Sequence, residues 1–274
     1  MFRVVPLFSC PPGAAVPGAS RPRQDNEGTG VRFGKEIRRL GSTARRGLES
    51  TPRGLALAER REHGGRCECS MLAYVVPSAL IQLLLLGGVP LLLYGLYHRI
   101  RHQRSWREIA QRAGLSAGDL RYAGYALAAA LAVAAALVAA SRGAPGFFAR
   151  EELAVRQFTG AGITLESVLA ALVYGGIQTG LTEELVFRGL IGGSLGRRLP
   201  LPWANLGQAL VFSLLHLPAL LVAPELWPMM AAVAAVALFM GWLRLRSGSI
   251  LGPWMVHAAA NVTTALIAAA QSTM

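Results

Sequence analysis

The chain has 274 residues, 53% of them hydrophobic and only 15% charged, with 27 Lys and Arg against 15 Asp and Glu and a formal net charge of +12. So apolar a composition excludes an ordinary soluble domain and points to several membrane-spanning helices. The positive charge does not mark a nucleic-acid binder, because the arginines cluster between apolar runs and no basic stripe with interleaved aromatics is present.

Residues 1–70 are a different material, rich in Gly, Pro, Arg and Ser and without sustained periodicity. Such a segment cannot bury enough apolar surface to fold and is expected to be disordered. All three cysteines, Cys10, Cys67 and Cys69, fall inside it, so the membrane part is expected to hold no disulfide and no thiolate site. The Cys67 and Cys69 pair lacks the further ligands a metal site needs.

From Met71 onward, helices are predicted at 71–97, 122–141, 165–187, 203–222, 228–246 and 250–270, each near the ~20 residues that cross a bilayer core. The fold class is therefore all-α, a polytopic membrane bundle of about six transmembrane helices in residues 71–274. Pro77 and Pro90 should kink the first helix and Pro218 the fourth. The second, almost entirely Ala, Val and Leu, should pack closely on its neighbours. His98 and His102 lie at i,i+4 beside the interfacial amphipathic stretch WREIAQRAGL. They have no acidic or thiolate companion and read as solvated residues rather than metal ligands.

Arginine placement sets the orientation. The 98–121 connection carries Arg99, Arg101, Arg104, Arg107, Arg112 and Arg121; Arg197–Arg198 and Arg244–Arg246 fall on the same side if six spans alternate. Opposite them, the 142–164 loop sets Arg142, Arg150 and Arg156 against Glu151 and Glu152, and the 223–227 turn carries only Glu225. The basic loops are thus expected to be cytoplasmic and both ends of the unit to face outward. The 13 basic side chains of residues 1–70 would then have to cross the membrane. Translation beginning at Met71 would remove the conflict; a retained basic tail with an extra re-entrant element is the alternative.

Ionisable residues inside a membrane helix cost ~3 kcal/mol each, so each is a functional candidate. Glu166 suits the start of its helix, with Thr164 as N-cap. Glu183 and Glu184 face different ways, being neighbours on a helix. Arg188, four residues after Glu184, is placed to pair with it and to snorkel toward the interface. That leaves Glu183 without a local counter-charge as a candidate general base, with Glu184 structural; the local sequence leaves the reverse assignment open. His216 lies one turn beyond Phe212. His257 and Asn261 project from one face of the last helix. By span direction these four polar residues, Glu183, His216, His257 and Asn261, can meet at similar depth.

Other patterns are weaker. GGSLG, Gly192–Gly196, satisfies G-x-S-x-G but follows a membrane helix, so it reads as a glycine-rich turn, with a Ser194/His257 serine protease as the rival. Gly176/Gly180 and Gly189/Gly193 have small-xxx-small spacing and suggest close helix packing. A proton-coupled transporter would place buried charge in both halves, and the first half has none. A non-catalytic membrane scaffold or immunity protein would keep the fold without the chemistry.

EELVFR (Glu183–Arg188), FSLLH (Phe212–His216) and HAAAN (His257–Asn261) together resemble the CAAX prenyl endopeptidase and bacteriocin-processing family of intramembrane proteases, with a core at about 165–270. The resemblance implies a peptidase opening to the cytoplasmic side of the bilayer. Glu183 and His216 would activate water, and His257 and Asn261 would donate to the oxyanion. Glu184, Arg188 and Phe212 would hold the catalytic helix. A zinc-dependent version, with Glu183, His216 and His257 as ligands, is the alternative; no HExxH-like ligand helix accompanies it. The implied partners are the lipid bilayer and a peptide or protein substrate, lipidated or not. Ala, Arg and Gly abundance with the single Lys35 suggests a high-GC genome, hence a bacterial cytoplasmic membrane.

Overall fold

A computed structural model describes residues 70–271. The basic segment before them, with Cys10, Cys67 and Cys69, lies outside the described residues. Within these, the chain is all-helical without a strand. Seven helices are formed: α1 Met71–His102, α2 Trp106–Arg112, α3 Leu120–Gly143, α4 165–196, α5 Leu201–Val222, α6 Pro224–Ser247 and α7 Leu251–Ala270. The predicted positions hold, with α1 and α4 running several residues further. α4 continues through Gly193–Gly196, so the expected glycine-rich turn is helical.

Among the described residues, α1, α3, α5 and α6 are long and apolar enough to cross a membrane by themselves. The other two predicted spans, α4 and α7, are less apolar because they carry Glu183, Glu184 and Arg188, and His257 and Asn261. They tolerate this by sitting inside: α7 packs against both α3 and α4, while α1 covers α4 and α6 pairs with α5. Leu84, Leu92 and Leu93 of α1, Leu131 of α3 and Leu210 and Leu214 of α5 remain exposed, as lipid-facing side chains would.

Close approach is built in. A Cβ on Gly175 would lie 2.6 Å from the Val262 amide nitrogen, so α4 meets α7 there. Gly176, expected as part of the packing seam, has open space around it instead. Gly189 does have the expected close contact, facing the Ala113 carbonyl at 2.7 Å.

Hydrogen bonds tie the two ends of the bundle separately. At the basic end, Arg197 donates to the Arg112 carbonyl (3.2 Å) and Tyr94 Oη (2.9 Å). Arg244 donates to the carbonyls of Arg188 (3.1 Å) and Arg112 (2.9 Å). At the other end, Glu166 accepts from Ser70 Oγ (2.6 Å) and the Leu72 amide (3.3 Å), so this carboxylate serves the start of α1 as well as its own helix. Thr164 caps α4 as expected, in a reciprocal pair with Ser167. There too, Gly160 donates to the Gln271 carbonyl (3.0 Å) and Arg150 pairs with Glu225.

Candidate active site

Glu183 and Glu184 sit on a short α-helical step, Thr182–Glu184, between π-helical stretches Val173–Leu181 and Leu185–Gly192. A π turn leaves helix carbonyls to other donors. Thr179 Oγ1 donates to the Tyr174 carbonyl (3.0 Å), Thr182 Oγ1 to Ile177 (3.1 Å), and Trp254 Nε1 of α7 to Gly176 (2.7 Å).

Glu184 is fully buried and accepts from Arg188 Nη1 at 2.9 Å. The snorkelling expected of Arg188 does not occur: its side chain is also fully buried, with the guanidinium 4.3 Å from the centroid of the Phe212 ring on α5. The pair is completed by α7, whose His257 Nδ1 lies 2.8 Å from the same Glu184 oxygen. A carboxylate paired with a guanidinium only accepts, so Nδ1 carries hydrogen and Nε2 faces the other way. Nε2 lies 3.7 Å from Glu183 Oε2, a buried oxygen without a hydrogen-bond partner.

His216 stands where α5 breaks. Pro218 cannot donate to the carbonyl four residues back, and the His216 amide bonds Ser213 (2.9 Å) rather than Phe212. The Phe212 carbonyl thus left over accepts from His216 Nδ1 at 2.8 Å. A carbonyl can only accept, so Nδ1 is the protonated nitrogen and Nε2 keeps its lone pair. Asn261 Nδ2 donates to Thr179 Oγ1 at 2.7 Å, which leaves one amide hydrogen free.

A cavity of about 410 Å³ lies between α1, α4, the break in α5 and the 142–164 loop. Glu183 and His216 line it together with Thr179; His257 and Asn261 stand behind, in contact with Glu183 and Thr179. Its polar wall was not foreseen from ionisable residues alone. Gln178 donates to Ser78 Oγ (3.0 Å) and Gln82 Oε1 (3.3 Å), and Gln82 donates to the Gln178 carbonyl (2.9 Å). The available signal was amides and hydroxyls spaced by four on otherwise apolar helices.

The cavity reaches Glu151 and Arg156 at its rim, the end opposite the basic loops. For the zinc alternative, no three His, Cys, Asp and Glu side chains among the described residues gather closely enough to hold a metal ion. Ser194 accepts from Arg197 at 3.1 Å within the helical end of α4, not on a strand–turn–helix elbow.

Residues 165–263 match the family of type II CAAX prenyl endopeptidases, Rce1-like. The match runs from the start of α4 into α7 and takes in all three motifs. No curated protein and no solved structure gives a significant match to the chain.

Proposed function

We propose that the chain, whose residues 165–263 carry an Rce1-like type II CAAX prenyl endopeptidase core, is an intramembrane peptidase that hydrolyses its substrate with a water held between Glu183 and His216. The observation that carries this reading is that both residues line one cavity, Glu183 with an unpartnered carboxylate oxygen and His216 with a bare Nε2.

Glu183 removes a proton from the water as its oxygen bonds to the peptide carbonyl carbon. His216 Nε2 accepts the water's other hydrogen and fixes its direction. The carbonyl oxygen becomes an oxyanion, for which the free amide hydrogen of Asn261 and the His257 ring are the proposed donors. Glu183 returns its proton to the amide nitrogen as the C–N bond breaks, and the carboxyl and amine products leave. Glu184 and Arg188 do no chemistry in this scheme; they hold His257 from behind.

The test compares the amino termini of proteins in membranes containing wild-type chain, Glu183→Gln or His216→Ala, each with and without a chelator. New termini that vanish in both variants and persist with chelator support the scheme. An identical set of termini with Glu183→Gln overturns it in favour of a non-catalytic scaffold. Loss on chelation, restored by zinc, overturns the water-activation assignment in favour of a metal.

A further inference from the structure

We propose that the junction of α1, α2, α4 and α6 at the basic end holds the phosphate of an anionic lipid headgroup, with Arg197 and Arg244 as its guanidinium ligands and Tyr94 as a hydroxyl donor. Neither this site nor its test rests on the peptidase reading.

The two guanidiniums come together without a counter-ion. Arg197, one residue past α4, and Arg244, buried in the last turn of α6, both donate to the Arg112 carbonyl, at 3.2 and 2.9 Å. Both cross Gly193 of α4: a Cβ there would lie 3.1 Å from Arg244 Nη2 and 3.3 Å from Arg197 Nη1. Like charges this close repel, and the carbonyl they share is neutral and cancels neither. The other charged side chains facing Arg197 are Arg112, Arg104 and Arg198, also positive. Glu108 of α2 is already paired with Arg104 and Arg112, and among the described residues no carboxylate pairs with Arg197 or Arg244.

Donors are left over for an anion. Arg244 spends Nε on the Arg188 carbonyl and Nη2 on that of Arg112, so its Nη1 bonds nothing. Tyr94 Oη accepts from Arg197 Nη2 at 2.9 Å, which leaves its own hydrogen for another acceptor. The buried Nδ1 of His98, whose ring packs 4.4 Å from that of Tyr94, and the buried Nε of Arg104 are without partners. Guanidinium forks bind phosphate oxygens two at a time, which would discharge both the repulsion and the spare donors.

Depth selects the source of the phosphate. Tyr97, Trp106 and Trp203 are exposed around the same helix ends, the aromatic signature of the headgroup layer. A Cβ on Gly95 would come 2.9 Å from the Trp106 ring, so α2 is packed against α1 beside the site. A basic pocket between helix ends at that level suits a lipid phosphate rather than a soluble anion. Through the 3.1 Å bond from Arg244 to the Arg188 carbonyl, the headgroup would brace the turn of α4 that carries the buried ion pair.

The test is thermal unfolding of the purified full chain in neutral-detergent micelles doped with phosphatidylglycerol or, at the same mole fraction, phosphatidylcholine. Phosphatidylglycerol should raise the midpoint by on the order of 5 °C over phosphatidylcholine, as a ligand at ~100 times its Kd would. Arg197→Gln should abolish that difference, and Arg246→Gln, which removes an exposed arginine at the end of α6, should keep it. Tyr94→Phe, which retains the ring, should reduce the difference and decides the matter if Arg197→Gln gives no folded chain. Equal midpoints in the two lipids, a difference that survives Arg197→Gln, or an equal loss in Arg197→Gln and Arg246→Gln overturns the site, the last because it marks diffuse attraction alone. Inorganic phosphate exchanged for chloride at equal ionic strength is the remaining arm. If it reproduces the whole shift and phosphatidylglycerol then adds nothing, the lipid source is overturned in favour of a free anion.

Discussion

One oxygen of Glu184 joins three helices: it accepts from Arg188 on its own helix at 2.9 Å and lies 2.8 Å from His257 Nδ1 on α7, while Phe212 of α5 covers the guanidinium. Removing one member of a buried ion pair strands the other, at a cost of ~3–5 kcal/mol. Glu184→Gln and Arg188→Met should therefore lower the unfolding temperature of the purified chain by on the order of 10 °C. Glu183→Gln should leave it near the wild-type value, since the Glu183 Oε2 atom gives up no hydrogen bond. Turnover should show a different pattern, with Glu183→Gln losing on the order of 10²–10⁴-fold. Equal unfolding temperatures for the two glutamine variants would contradict this division between a structural and a chemical carboxylate.

The break at His216 supplies a second prediction. The ring is aimed by the Phe212 carbonyl, which is free because the His216 amide turns to Ser213, at a break where Pro218 leaves the Leu214 carbonyl without its helical donor. Pro218→Ala restores a donor and allows α5 to close into a continuous helix. The variant should unfold at the same temperature or higher yet turn over its substrate on the order of 10²-fold more slowly, the penalty for misplacing a reacting group by about 1 Å. Unchanged turnover would mean that His216 does not depend on the break.

These contrasts explain how far the sequence could be read. Glu184–Arg188 is an i,i+4 pair and Thr164 a local cap, so both followed from spacing within one helix. The burial of Arg188 did not, because it depends on an aromatic ring from α5. Thr179, Ser78, Gln82 and Gln178 carry no ionisable group and so give no such signal in the sequence, although they line the cavity. Gly176 was read for the seam that Gly175 occupies, since π-helical turns shift which residue faces α7 and i,i+4 arithmetic assumes a regular helix. That Glu151 and Arg156 line the cavity could be learned only from the contacts of the 142–164 loop, where no periodicity constrains the chain.

That seam is itself testable. A methyl group on Gly175 would meet the backbone of Val262, which cannot step aside as a side chain end could. Gly175→Ala should destabilise by ~1–3 kcal/mol through overpacking. Gly176→Ala, with open space around it, should be neutral or slightly stabilising, because alanine favours the helix by ~1 kcal/mol over glycine. Thermal unfolding of the two variants side by side checks the register of α4 on α7, and equal losses would refute it.

Asn261 and Thr179 offer the sharpest separation of positioning from chemistry. Asn261 Nδ2 donates to Thr179 Oγ1, and that hydroxyl passes its own hydrogen to the Tyr174 carbonyl. Thr179→Val removes the acceptor while keeping the shape, so it leaves the Asn261 amide present but untethered. Thr179→Ser keeps the hydroxyl. If Asn261 is an oxyanion donor held in place by Thr179, Thr179→Val should lower kcat with little change in KM, Thr179→Ser should restore most of it, and Asn261→Ala should cost more, on the order of 10²–10³-fold in kcat. Combining Thr179→Val with Asn261→Ala should add almost nothing to Asn261→Ala alone, because the threonine acts only through the amide. Additive losses would instead give Thr179 a separate task in the cavity, and a change in KM alone would move both residues to substrate binding.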